Sequence, residues 1–407
     1  MKQETLISNP KMGASRLNSF PDEFFVNPYP FYRELHSNGP VQRGTLIKHD
    51  GWVVTGYKEA LHILKHPHFK TRMPIPKDSK DNKRLIRIQK NMMLFKNPPD
   101  HTRIRSLVSK AFTPHAIEAV RTSIEETAHQ LLVRVQDAGE MEVKSDFAFP
   151  LAMATIARIL GVSPQDYPQF RKRADLLIRT TDLTRTEKTL DGEAAASELL
   201  DYFRSLVKYR LHYPEDDLIS KLVGEADDGD KLDEDELLAT CILLIIAGHE
   251  TTVNLIGNGV VSLLKNPDQL IKLKEEPSLI RSAVEECLRF ESPTQLTARF
   301  AAEDTEVGGT TIKSGEQIYL LLGAANRDPM RFTDPDIFDI TREPNPHLAF
   351  GTGNHFCLGS ALARLEAQIA INTLLQQLPN LRLENDRLQW RRLFGFRSLE
   401  ELPISFG

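Results

Sequence analysis

The sequence predicts one mainly α-helical domain over residues 1–407, with a small β region and a short polar tail over about the first 20 residues. Three observations carry that expectation. Helical periodicity runs through most of the chain, period-2 alternation is confined to two short regions, and one apolar segment is long enough for a helix that crosses the whole molecule. A chain of 407 residues is also ample to bury a large core and an internal cofactor.

In chain order, residues 51–56 (GWVVTG) read as a short strand. Residues 114–137, 191–213, 268–290 and 358–378 carry helical periodicity. The longest helix candidate starts near Asp233, whose acidic neighbours suit a helix N-terminus, and runs to about Lys265. Roughly 33 residues at 1.5 Å each give about 50 Å. Apolar on nearly all sides, this helix should be buried. Residues 307–322 read as two strands joined at 313–316, the second the stronger.

Apolar residues are 41% and charged residues 26%, as in a globular enzyme, and the net charge of −5 argues against a nucleic-acid partner. The three cysteines, Cys241, Cys287 and Cys357, form no disulfide framework and suit a reducing compartment. The polar start has no signal-peptide pattern, and the most apolar stretch, 237–248, falls short of the ~20 residues a membrane span needs. A cytoplasmic monomer without a membrane anchor is expected. Two charge runs stand out: residues 70–90, with eight basic residues against two acids, and 225–236, with eight acids against Lys231. Solvated loops and helix ends account for most such runs.

The strongest chemical signal is FGTGNHFCLG at 350–359. Three glycines flank one cysteine, and an apolar helix follows. Glycines let the backbone turn and approach a bulky group closely. Backbone N–H groups can then point at the sulfur of Cys357, and a helix start favours a thiolate. A lone thiolate held this way suits a soft metal in a flat macrocycle.

This loop resembles the haem-binding loop of the cytochrome P450 monooxygenases. Six specified positions match, with chance odds on the order of 10⁻⁵ at average residue usage. The resemblance implies the cytochrome P450 fold, with haem b between a long central helix and the cysteine loop. Cys357 would be the iron ligand, with Phe350, Gly351 and Gly359 lining the same face of the ring. Glu286 and Arg289, spaced i, i+3, together with Arg342 resemble the family's structural Glu–Arg–Arg network. AANRDP at 324–329 fits the turn before it. His101 and Arg105, spaced i, i+4 and so on one helix face, with Arg299 and His355 further on, match the residues that hold the haem propionates. Any one of the four alone would be ordinary surface charge; their order along the chain favours the haem role.

AGHETT at 247–252 lies in the middle of the long helix. Glycine and two threonines are poor helix formers, so a local opening is expected there. The resemblance puts Ala247 and Gly248 on the oxygen-binding side of the haem. There Glu250 would bring protons in, and Thr251 would hold reduced dioxygen and its water. The alternative is a helix whose threonines bond back to earlier carbonyls. The acid–alcohol pair separates an oxygen-activating enzyme from a non-catalytic haem-binding protein, which has no need of it.

With no nucleotide fold or spare cysteines for an iron–sulfur cluster, electrons would come from a separate ferredoxin or flavodoxin with its reductase. Arg103, Lys110 and Arg364 are candidate docking cations. MMLF at 92–95, FAFPL at 147–151 and LFGFR at 393–397 are similar to the bacterial branch that holds macrolide hydroxylases, and especially to its biotin-pathway side, which cleaves fatty acyl chains held on acyl carrier protein. A fatty acid or carrier-bound acyl substrate is expected, with a macrolide, terpenoid or other polycyclic compound as the alternative. Residues 69–95 and 167–213 would cover the pocket, and the basic run 70–90 would dock an acidic carrier or a fatty carboxylate.

Overall fold

Asp233 starts the element around which the chain is organised. Its side chain accepts the Glu236 N–H at 2.8 Å, and the Glu236 carboxylate accepts the Asp233 N–H at 3.1 Å. This reciprocal cap satisfies two of the donors that a helix N-terminus leaves open. The helix it opens, Glu234–Lys265, has 32 residues, one short of the sequence expectation. Its length and composition would suffice to cross a membrane, so the apolar stretch 237–248 understated it. In this computed structural model, which describes residues 15–17, 21–46, 49–71, 83–181, 190–224, 231–385 and 387–407, it is instead the core helix. Leu238, Ile242 and Ile245 join a cluster with Met153, Phe170 and Phe203 on one half, and Leu255, Ile256 and Leu263 join Leu151, Leu288 and Ile371 on the other. Burial lapses between the two halves: Ala247 is exposed, and Gly248, Glu250 and Thr251 are only part-buried.

Three other helices stand where the periodicity places them, at Pro114–Val133, Leu190–His212 and Ser360–Gln377. The expected helix over 268–290 is two helices, Pro267–Glu275 and Ile280–Phe290, separated by a 3₁₀ turn at Pro277–Leu279. Pro277 has no N–H for the ladder and disfavours helical backbone at Glu276.

The main sheet has six strands, in the order Ser15–Leu17, Val41–Leu46, His49–Val54, Gln317–Leu321, Leu296–Ala301 and Phe69–Lys70. The strand expected at 51–56 is thus real but starts at His49 and ends at Val54. The region 307–322 differs from expectation. Val307 ends a strand, Thr305–Val307, that pairs with Thr310–Ile312 across Gly308 and Gly309, at φ 57° and 76°. Two consecutive positive φ values make the tight hairpin turn that glycine favours. Gln317–Leu321 does not pair with Thr310–Ile312. It lies centrally in the main sheet, buried from Ile318 to Leu321. Arg299 sits beside it, opposite Ile318, on the antiparallel strand Leu296–Ala301. A three-stranded sheet joins Arg382–Leu383, Pro403–Ser405 and Glu140–Glu142.

Candidate active site

The cysteine loop is folded by its own backbone. Gly351, at φ 64°, donates to Leu348 O at 2.8 Å, and Cys357 N–H closes the loop onto Phe350 O at 2.9 Å. Gly353 is held at φ 72°, where a Cβ would lie 2.4 Å from Leu64 O, so no side chain fits. A Cβ on Gly359 would meet nothing within 4 Å, so open space lies beside the sulfur-bearing turn. Gly359 is the cap of the Ser360–Gln377 helix, which places Cys357 two residues before the cap, not in the first turn. Burial pushes the Cys357 thiol up, while the Gly359 N–H aimed at it and the charges of Arg105 and Arg364 act the other way. Leu358 packs on the cluster that holds Leu244 and Ile245, so the loop lies against the middle of the long helix. Phe350 carries the Arg364 guanidinium 4.5 Å above its ring.

The segment that leads to this loop is anchored on one buried carboxylate. Glu286 takes two 2.8 Å hydrogen bonds from Arg289, and both side chains are 0% exposed. Arg342 adds a third at 3.3 Å, Asn345 Nδ2 donates at 3.0 Å and Asp339 N–H at 3.0 Å. Arg289 also reaches the carbonyls of Asn326, Pro335 and Ile337. The network expected from Glu286, Arg289 and Arg342 is therefore present, and it pins residues 326–345 to the Ile280–Phe290 helix. Asn326 finishes the brace by accepting Leu348 N–H at 2.6 Å.

On the opposite flank of the loop, four donors converge. His101, on the helix Asp100–Ser109, lies with its ring 4.1 Å from that of His355. The Nε2 atoms of both are buried and have no hydrogen-bond partner among the described residues. Arg105, one turn on, donates to Phe356 O at 2.7 Å. Arg299 is buried and, among the described residues, donates only to Ala298 O and Thr297 Oγ1. Among the described residues none of the four faces a carboxylate. Burial and the neighbouring His101, Arg299 and Arg105 push His355 down to about 3, and burial with Arg105 pushes His101 down to about 4. Arg299 is thus a buried charge with no counter-ion among the described residues, a costly arrangement, and the neutral imidazoles beside it keep N–H donors, so the cluster suits an anion.

Comparison with known proteins identifies the family. A cytochrome P450 family profile matches residues 194–384. The biotin biosynthesis cytochrome P450 of Bacillus subtilis (strain 168) is 55% identical over 385 residues, covering 94% of this chain and 97% of that protein. The chain is a cytochrome P450. Another relative, the 6-deoxyerythronolide B hydroxylase of Saccharopolyspora erythraea, is 38% identical over 402 residues, covering 94% of this chain and 97% of that one. The crystal structure of P450BioI in complex with acyl carrier protein ligated to hexadec-9Z-enoic acid superposes with a TM-score of 0.91 at 56% identity, over 95% of this chain and 100% of that one.

Cytochrome P450s are haem-thiolate monooxygenases that carry haem b. The residues present fit that group. Its two propionates would supply the anions that His101, Arg105, Arg299 and His355 lack among the described residues, and Cys357 would supply the thiolate. The distal residues need one correction. The long helix is unbroken through 247–252, so the expected opening is not a break in the helix. Thr251 donates its hydroxyl to Ala247 O at 2.8 Å. Gly248 has a packing reason: a Cβ there would stand 2.7 Å from Ile156 Cγ1. Gly248→Ala is expected to destabilise the protein by about 1–3 kcal/mol through overpacking, and to cost clearly less in an Ile156→Ala background, itself weakened by its cavity, read by thermal unfolding.

Sequence reasoning missed what holds Glu250. It is not hydrogen bonded to Thr251. Arg391 donates to it at 2.9 Å and Asn254 at 3.3 Å. Arg391 lies 141 positions further along, and no local pattern marks it. The proposed docking cations also change. Arg103 pairs with Glu236 at 2.5 Å, and Arg364 is held by both oxygens of Glu285 at 2.7 and 2.9 Å. Both charges are thus neutralised within the protein. The side chain of His249 and residues 72–82, 182–189 and 225–230, parts of the charge runs and of the pocket cover, lie outside the described residues.

Proposed function

We propose that the chain is a single cytoplasmic cytochrome P450 domain, acting as a monomer, that oxidises a fatty acyl chain carried on acyl carrier protein. The observation that carries this is the near full-length match to P450BioI, which was crystallised with such a carrier. Electrons would come from a ferredoxin or flavodoxin with its reductase. Bound haem supplies dioxygen activation, with thiolate electron density favouring O–O cleavage. The chain's residues then have distinct tasks. Cys357 would be the iron ligand, and His101, Arg105, Arg299 and His355 would seat the propionates. Phe350, Gly351 and Gly359 would line the haem beside Cys357, and Ala247 and Gly248 would line it from the long helix. Glu250 carries protons inward, and Thr251 Oγ1 accepts from a water at the oxygen site. A hydroxyl that donates to a carbonyl keeps lone pairs for that purpose.

Thr251→Ala is expected to lower product formed per electron consumed by at least about tenfold, with the reduced carbon monoxide spectrum unchanged. Full coupling in the variant would remove Thr251 from the mechanism. Carrier docking is tested at the helix Lys83–Asn91. Arg87 pairs there with Asp235 at 2.8 Å and Arg84 with Glu193 at 3.7 Å, so part of the positive charge is already answered. Replacing Lys83, Arg84 and Arg87 together with glutamine is expected to weaken the spin-state titration by acylated carrier about tenfold, with free fatty acid affected less. A spin-state response to macrolides but not to acylated carrier or fatty acids would favour the hydroxylase reading suggested by 6-deoxyerythronolide B hydroxylase.

A further inference from the structure

Glu250 belongs to a hydrogen-bonded chain that ties three distant parts of the sequence together. Arg391, in the segment before the last strand, forks: Nη1 donates to Glu250 Oε1 at 2.9 Å and Nη2 to Asp175 Oδ1 at 2.5 Å. Asp175 lies on the helix Tyr167–Thr181. Asn254, one turn beyond Glu250, donates to the same Oε1 and accepts from Ser398 Oγ at 2.7 Å. Lys144, in the π-helical turn Val143–Ala148, donates to Ser398 Oγ at 3.4 Å and to Leu399 O. Burial lowers the Lys144 ammonium, Glu250, Glu142 and Glu400 support its charge, and Arg391 opposes it. The side chains of Arg391 and Glu250 are 9% and 12% exposed, whereas that of Asp175 is 34% exposed. One buried guanidinium is therefore shared between a buried acid on the long helix and a half-exposed acid on a helix of the predicted pocket cover.

We propose that Arg391 is a positioning residue for Glu250, and that Asp175 competes for its guanidinium and so controls how readily Glu250 is released toward Thr251. The proposal rests on the proton-carrying role proposed above for Glu250. A carboxylate paired with a guanidinium does not take up a proton until the pair loosens. With Asp175 in place, Arg391 divides its donors between two acids. Without it, the whole fork falls to Glu250. Seating of the Tyr167–Thr181 helix, which carries Asp175, thereby bears on proton delivery at the long helix, through an element that has two partners to choose from.

The test uses the holoenzyme with its electron donor. It compares Asp175→Asn, Arg391→Gln, the double variant and Glu250→Gln, each checked for an intact reduced carbon monoxide spectrum. The readouts are kcat, KM, product per electron consumed and the solvent isotope effect on kcat. Asp175→Asn is expected to lower kcat about three- to tenfold at unchanged KM and to raise the solvent isotope effect, because the strengthened pair holds Glu250 back. In the Arg391→Gln background the same substitution should change neither kcat nor the isotope effect by more than about twofold. Additive effects in the double variant, or a kcat loss without any isotope-effect change, overturn the proposal while leaving Glu250 as a proton carrier. Normal coupling and isotope effect in Glu250→Gln overturn the proposal together with the proton-carrying role it rests on. Asp175 is half-exposed, so its variant keeps the comparison open if Arg391→Gln does not fold.

Discussion

Replacing Cys357 with serine is expected to shift the reduced carbon monoxide complex off the red-shifted Soret position of thiolate ligation. Turnover should fall by more than the 10- to 100-fold that loss of an outer-sphere metal partner typically costs. Several features single out this sulfur. Cys357 alone of the three cysteines is not fully buried, and it alone lies in a turn where a backbone N–H, that of Gly359, is aimed at it from a neighbouring residue. Burial pushes the Cys241 thiol up to about 12, and Cys287 higher still, so neither yields a thiolate near neutral pH. Cys287 also fills space beside Gly259, where an added Cβ would stand 3.2 Å from its sulfur. Cys241→Ala and Cys287→Ala are therefore expected to keep the thiolate spectrum. The serine variant should still take up haem, because His101, Arg105, Arg299 and His355 are unchanged. A thiolate-type spectrum in Cys357→Ser would show that another residue supplies the ligand. Colourless wild-type protein would refute the haem site altogether.

What the sequence made legible was local. The loop at 350–359, the Glu286–Arg289 pair and the cap at Asp233 are each set by residues within a few positions of one another, so their spacing is their geometry. The convergence of His101, Arg105, Arg299 and His355 was reached by resemblance alone. No periodicity says that a strand residue and a loop residue will meet a helix face more than 190 positions earlier. The sheet was the least legible part. Val41–Leu46 contains Gln42, Arg43 and Gly44 and has no alternating pattern, yet it pairs along its full length with His49–Val54. Gln317–Leu321 was recognised as a strand but given the wrong partner, because pairing follows the burial of both faces and not the nearest turn. Arg391 was invisible for the same reason. Its meaning lies in two acids, at 175 and 250, that only the fold brings to it. Gly248 was read as a helix weakness when its cause is Ile156 on a packed neighbour.

Arg289→Ala is expected to be the most damaging single substitution outside the cysteine loop, lowering the unfolding temperature by about 4–6 °C and cutting haem uptake during expression. The pair it breaks is fully buried, and truncation leaves Glu286 without two of its hydrogen bonds. Removing one partner of a buried pair costs about 3–5 kcal/mol, a large share of the 5–15 kcal/mol by which a domain is stable. The carbonyls of Asn326, Pro335 and Ile337 lose their donor as well, and these lie on the segment that sets the cysteine loop in place. Damage should therefore reach the site first, as a loss of thiolate-bound haem in the protein that still folds. Arg289→Lys restores a charge but has a single ammonium in place of a planar fork, so it cannot serve both carboxylate oxygens and three carbonyls at once, and only partial recovery is expected. Arg121→Ala provides the contrast. Its bonds to Glu118 join exposed side chains on one helix, and pairs of that kind contribute about 0–1 kcal/mol. Calorimetry of the three variants at one pH decides the matter. An Arg289→Ala protein that melts within about 2 °C of the parent, with full haem content, would mean that Arg342 and Asn345 suffice to hold Glu286 and that the brace does not depend on Arg289.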